Sequence, residues 1–91
     1  MKSTFIPKIN CRFKIRRDIH NYVGFFQGRG VLIFNDIGAF IVSTIDGKQN
    51  ISKIAKALKS VFPKVKQPIK EVTTIIAQLQ KAGYLWAFYG G

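Results

Sequence analysis

Apolar and polar positions along this chain change period between its first third and the rest. Over residues 11–17 they alternate, with Cys11, Phe13 and Ile15 on one side and Arg12, Lys14 and Arg16 on the other. A period of two predicts a half-buried strand with a basic outer face. Residues 18–21 are turn chemistry, and residues 22–27 are aromatic and β-branched enough for a second strand. Gly28-Arg29-Gly30 supplies the positive φ angles of a tight hairpin, and residues 31–34 follow as a third strand. The first third therefore reads as a three-stranded antiparallel meander.

After Phe34 the period lengthens. Ile37, Phe40, Ile41 and Ile45 recur at helical spacing, with Asn35 or Asp36 as N-cap and Asp46-Gly47 as a stop suited to the left-handed C′ position. A second helix starts at Asn50 or Ser52, turns Ile51, Ile54, Ala55, Leu58 and Val61 inward, and carries a stripe of Lys53, Lys56 and Lys59 before Phe62-Pro63 closes it. Residues 64–67 form a loop, and Pro68 stands at the first turn of a third helix over residues 69–82. That helix has Val72, Ile76, Leu79 and Gly83 on one stripe and Ile69, Thr73, Ala77 and Gln80 on an adjacent one. The aromatic residues 84–89 suit a short strand or a segment packed across the sheet. Residues 1–10 show no period, and Pro7 blocks regular pairing, so they read as a flexible arm ahead of a single domain at 11–91. The fold class is α+β and winged-helix-like, a three-stranded antiparallel sheet packed on a three-helix bundle.

Composition bounds this picture without redirecting it. The chain has 91 residues, 47% of them apolar and eight of them Phe, which is material for one core. No apolar run approaches the ~18 to 20 residues that span a bilayer, and residues 1–10 lack the features of a signal peptide, so a cytoplasmic protein with no membrane partner is expected. Cys11 is the single cysteine and has no partner for an internal disulfide. Fifteen Lys and Arg against four Asp and Glu give a net charge of +11, which favours an anionic partner.

Candidate chemistry is sparse. His20, the only histidine, sits in a turn with Asp18 as its one nearby acid, and neither a triad nor a metal site finds its partners at a recognisable spacing. Gly28-Arg29-Gly30 joins two strands and does not open a helix, so it is a hairpin and no phosphate loop. The chain is therefore expected to be no enzyme and to hold no cofactor or metal. Gly90-Gly91 invites comparison with ubiquitin-like modifiers, but the order of elements is wrong for that fold, and a frayed end is the simpler reading. A winged-helix nucleic-acid-binding protein is the alternative that the charge keeps open. Against it, the third helix offers only Lys70 and Lys81 beside Glu71. The proline-bearing link before it is also longer than the roughly 3 to 4 residues of a helix-turn-helix.

One longer phrase ties these elements together: Val31-Leu32-Ile33-Phe34-Asn35, then Ile37-Gly38-Ala39-Phe40-Ile41, Asp46-Gly47, a helix from Ile51 to Leu58, Phe62-Pro63, Glu71-Val72, Ile75-Ile76, Leu79, Gly83 and Leu85. In order and spacing it resembles the PqqD-like family, recognition elements for ribosomally made, post-translationally modified peptides, roughly over residues 16–85. The resemblance implies binding of a precursor's leader segment and its presentation to a modifying enzyme, either a radical S-adenosylmethionine enzyme or a leader peptidase. If the third strand is an exposed edge, a peptide can join it as an added strand, with alternate side chains entering the groove toward the third helix. The candidate groove is Val31, Leu32, Ile33, Phe34 and Asn35 on the strand side, with Thr73, Ile76, Ala77, Gln80 and Lys81 on the helix side. A basic rim of Arg29 and Lys70, joined by Lys81, would select an acidic leader peptide. An exposed edge equally suits a second copy of the chain as a homodimer partner.

Overall fold

The computed structural model describes residues 4–86. Its elements run β1 (Lys8–Ile9), β2 (Phe13–Arg17), β3 (Tyr22–Phe26), β4 (Gly30–Phe34), α1 (Asp36–Thr44), α2 (Ile51–Val61), α3 (Pro68–Lys81) and β5 (Leu85–Trp86). Strands β2, β3 and β4 form an antiparallel meander in that order, and β1 pairs with β5 in a separate two-stranded ribbon. The α+β class, with a three-stranded sheet and three helices, agrees with the hydrophobic pattern.

Local chemistry explains the boundaries. Gly28 and Gly30 take φ values of 74° and 120°, and the Arg29 N–H donates to the Phe26 carbonyl across the turn, which lets β3 return directly as β4. Asn35 caps α1 through its side-chain oxygen, which accepts from the Gly38 N–H at 2.8 Å. Asn50 does the same for α2, accepting from the Lys53 N–H at 2.9 Å. Pro68 opens α3 where its missing N–H costs nothing, and Gly83, at φ 80°, lets the chain leave it. The C-cap of α1 is Ile45, and Gly47 takes its left-handed conformation two residues later, in the turn that Asp46 organises.

The core lies between the inner face of the sheet and the three helices. Phe26 and Phe34 come from the sheet, Ile41 and Val42 from α1, Ile51, Ile54 and Leu58 from α2, and Val72, Ile76 and Leu79 from α3. Each such side chain contributes about 1.5 to 3 kcal/mol by leaving water. Val61, expected to face inward, is 56% exposed, because α2 ends there and its last turn projects beyond the core.

The N-terminal segment departs from the expectation of a loose arm. Phe5 and Pro7 are buried, and the Phe5 carbonyl accepts from the Ile51 N–H at 3.0 Å. β1 then pairs antiparallel with β5, Lys8 opposite Trp86 and Ile9 opposite Leu85, and the Asn10 N–H donates to the Tyr84 carbonyl. Pro7 stands just outside this pairing and so removes no ladder donor; it packs into the core instead. Residues 4–10 therefore belong to the domain. The aromatic end beyond Trp86 and the Gly90-Gly91 pair lie outside the described residues.

Candidate functional site

The strand order leaves β2 and β4 each with one unpaired side among the described residues. Which groups point outward follows from the ladder's phase. The Gln27 N–H donates to the Arg12 carbonyl and the Asp18 N–H to the Asn21 carbonyl, so the odd-numbered residues of β3 bond toward β2. In an antiparallel strand a residue's N–H and C=O point the same way and alternate from residue to residue. Tyr22, Gly24 and Phe26 therefore bond to their register partners Phe34, Leu32 and Gly30. Val31 and Ile33 are left with N–H and C=O directed at the open edge, four groups in all.

Two contacts relate α3 and the residue stretch after it to the ends of this edge strand. At the Gly30 end, the Tyr84 hydroxyl donates to the Arg29 carbonyl at 3.0 Å, and the Tyr84 ring stacks on Phe26 with centroids 4.4 Å apart. At the Phe34 end, Gly38 in the first turn of α1 sits between β4 and α3. A Cβ there would lie 3.1 Å from Ile75 Cδ1 and 3.2 Å from Phe34 Cβ, so any side chain at this position would be tight against both. The chain past α3 thus reaches the start of β4, and the middle of α3 reaches its end. The candidate groove lies between strand and helix, which run antiparallel over about 13 Å of strand at ~3.3 Å per residue.

The helical wall is set by Ile75. At about 100° per residue, Glu71, Gln78 and Ala82 lie within roughly 60° of Ile75 on the flank toward β4, whereas Thr73, Ala77, Gln80, Lys81 and Lys70 lie about 120–160° around the helix. These five lie around the helix from Ile75, Thr73 half-buried and the other four exposed. Ile76 is fully buried and Phe34 is 3% exposed; both are floor, with no surface to offer a ligand. On the strand side, Leu32 projects inward between Gly30 and Phe34 and stays half-buried. Val31 and Ile33, 54% and 64% exposed, send side chains to the outer sheet face beside Val23 and Phe25, while their backbone groups serve the edge. Asn35 is committed to capping α1, and the Arg29 side chain is exposed at the hairpin end. Ile75 is a candidate groove residue that the sequence does not single out, because Ile75-Ile76 reads as one core pair. The signal that finds it is Gly38, whose missing side chain marks where another element approaches.

The surroundings carry charge and no catalytic cluster. Among the described residues no group of His, Cys, Asp or Glu could hold a metal ion, and His20 is exposed in its turn. Asp46, exposed after α1, has its carboxyl held below the usual value by hydrogen bonds, first from the Lys48 backbone N–H and then from Gln49. On the outer sheet face the Arg16 guanidinium sits over the Phe25 ring at 5.7 Å. No helix among the described residues is long and apolar enough to cross a membrane.

The family model described as Coenzyme PQQ synthesis protein D (PqqD) matches residues 22–85. The chain belongs to the PqqD family. The PqqD match begins at the first residue of β3, so it contains β4, all three helices and Tyr84 but neither β1 nor β2. Of the two open edges, only β4 with its facing helix lies in the stretch that defines the family. No curated protein and no solved structure matches the chain.

Proposed function

We propose that this PqqD-family protein binds the leader segment of a precursor peptide as a fourth strand on β4, in the groove walled by α3, and presents it to a modifying enzyme. Family membership supports an accessory, peptide-binding role beside a biosynthetic enzyme, and a non-catalytic one. The observation that carries the strand reading is the outward set of N–H and C=O groups on Val31 and Ile33 beside the Ile75 flank. A peptide there gains four ladder bonds, sends alternate side chains inward against Leu32 and Ile75, and sends the others outward beside Val31 and Ile33. Strand addition requires no catalytic side chain. Phe34, Ile76 and the Asn35 cap position the edge, and Arg29 supplies positive charge at its hairpin end. The enzyme served is a radical S-adenosylmethionine enzyme or a leader peptidase, and an acidic leader suits the charge of +11.

The test is a titration of the ¹⁵N-labelled chain with a synthetic leader from the precursor encoded in its gene neighbourhood. Shifts should concentrate at Val31, Ile33, Ile75 and Gln78. Shifts confined to β2, or to Thr73, Ala77 and Gln80, would refute this placement. A DNA duplex that binds more tightly than the leader, with affinity collapsing as salt rises, would favour nucleic acid instead.

A further inference from the structure

The proposed β4–α3 groove reaches the Phe34 end of β4, where the chain turns into α1. Beyond that end lies a concavity between the first turn of α1 and the link from α2 to α3. Its apolar lining includes Ile37, Phe62 and Val65, and Lys64, Lys66 and Lys70 line it too. Glu71 is its one acidic lining residue. Ile37 directly precedes Gly38, which touches both walls of the groove, and Glu71 stands one helical turn before Ile75, so groove and concavity meet.

The far wall is braced from within. The Lys59 ammonium donates to the Pro63 and Val65 carbonyls at 2.7 and 2.6 Å, and the Val65 N–H donates to the Phe62 carbonyl at 3.1 Å. Phe62 is held edge-on to Phe40, with centroids 5.7 Å apart. With Lys59 occupied in this way, Lys64, Lys66 and Lys70 are left as exposed cations around an apolar floor.

We infer that this concavity is a second subsite for the same peptide, taking an acidic stretch with an apolar anchor from the part of the leader that continues past the Phe34 end of its added strand. The inference rests on strand addition at β4 and adds a substrate class: leaders in which an apolar side chain flanked by carboxylates lies next to the strand-forming stretch. The apolar anchor fills the space over Ile37, Phe62 and Val65, and its flanking carboxylates pair with the three lysines. A second copy of this chain is disfavoured as occupant, because its charge of +11 opposes the approach of the same cations.

The test uses the full ¹⁵N-labelled chain and two synthetic peptides. Both share a strand half of alternating valine and threonine; one continues into leucine flanked by aspartate and glutamate, the other into leucine flanked by asparagine and glutamine. Both peptides should move the Val31 and Ile33 amides. Only the acidic one should also move Ile37, Phe62, Val65 and Lys66, with affinity about tenfold higher, the scale of two or three exposed ion pairs. Changing Lys64→Gln, Lys66→Gln and Lys70→Gln together should make the two peptides equal and leave the β4 response intact. If the acidic peptide moves β4 alone, or the triple variant keeps its preference, the subsite falls and strand addition stands. If the concavity responds while β4 stays silent, strand addition falls and the linked subsite with it; silence in both regions overturns both. A short DNA duplex shifting the same lysines more strongly than the acidic peptide assigns the patch to nucleic acid and overturns the inference.

Discussion

Ile33→Pro isolates the open edge from the fold that carries it. The ladder phase directs the Ile33 N–H away from β3, so proline there removes a donor that the sheet does not use. Proline's φ of about −65° is tolerated on an edge strand, and the residue before it, Leu32, is already extended, as a residue preceding proline must be. The side chain lost is 64% exposed. The stability cost should therefore stay within about 1 kcal/mol, the whole span of strand propensities.

Binding should suffer far more. One of four ladder bonds disappears, a net loss of about 1 kcal/mol, and the peptide carbonyl that it served is stranded at a further ~1 to 3 kcal/mol. Together these predict affinity lower by roughly thirty-fold to several hundred-fold. Isothermal titration with a leader peptide gives the affinity, and urea unfolding gives the stability. Ile15→Pro is the matched control, because by the same phase the Ile15 N–H points from the other open edge, β2. Its packing loss lowers stability but should leave affinity unchanged. If Ile33→Pro keeps the wild-type unfolding midpoint and binds within about threefold, the hydrogen-bond reasoning is refuted; if Ile15→Pro alone loses binding, the peptide sits on β2.

Gly38→Val should lower stability by about 1 to 3 kcal/mol, because the new side chain meets Ile75 and Phe34 where a Cβ alone is already tight, and an unchanged melting temperature would contradict that approach. Phe5→Ala should cost about 3 kcal/mol in urea unfolding, as for a buried core phenylalanine, whereas a dispensable arm would show no change. Asp46 titrates below its ordinary value of 3.8 in the folded chain, so its contribution is complete above that value and fades as acidification carries the pH through the lowered folded pKa. The stability difference between wild type and Asp46→Ala should accordingly be constant near neutral pH and shrink below about pH 4; a difference that grows on acidification would contradict the sign.

Sequence period was a good guide where one periodicity had one structural solution. The alternation through Cys11, Phe13 and Ile15, the glycine hairpin and the Asn35 and Asn50 caps are all local chemistry, and each is found where the pattern put it or within a residue or two. The docking of residues 4–10 was not legible in this way. A two-residue strand has no period to read, and its partner, Leu85–Trp86, lies more than seventy positions away. Phe5 and Pro7 are the local hint of burial, but what covers them is tertiary: the start of α2 passes beside Phe5, whose carbonyl accepts from the Ile51 N–H.

The helical wall of the groove shows a different limit. Period identifies the buried stripe of α3, Val72, Ile76 and Leu79, but says nothing about which of its two flanks turns toward the sheet edge. The polar flank of Thr73, Ala77 and Gln80 looks like the surface a ligand would meet, and the flank of Ile75 looks like more core. A groove that takes up a peptide's inward side chains, however, needs an apolar wall that the fold leaves partly uncovered. Ile75 and Leu32, both half-buried, meet that requirement together because Gly38 lets α1 close one end while Tyr84 ties the other. Half-burial of an apolar side chain beside an unpaired strand is thus the feature that distinguishes wall from floor in the proposed groove, and it arises from tertiary contacts that the helical period does not encode.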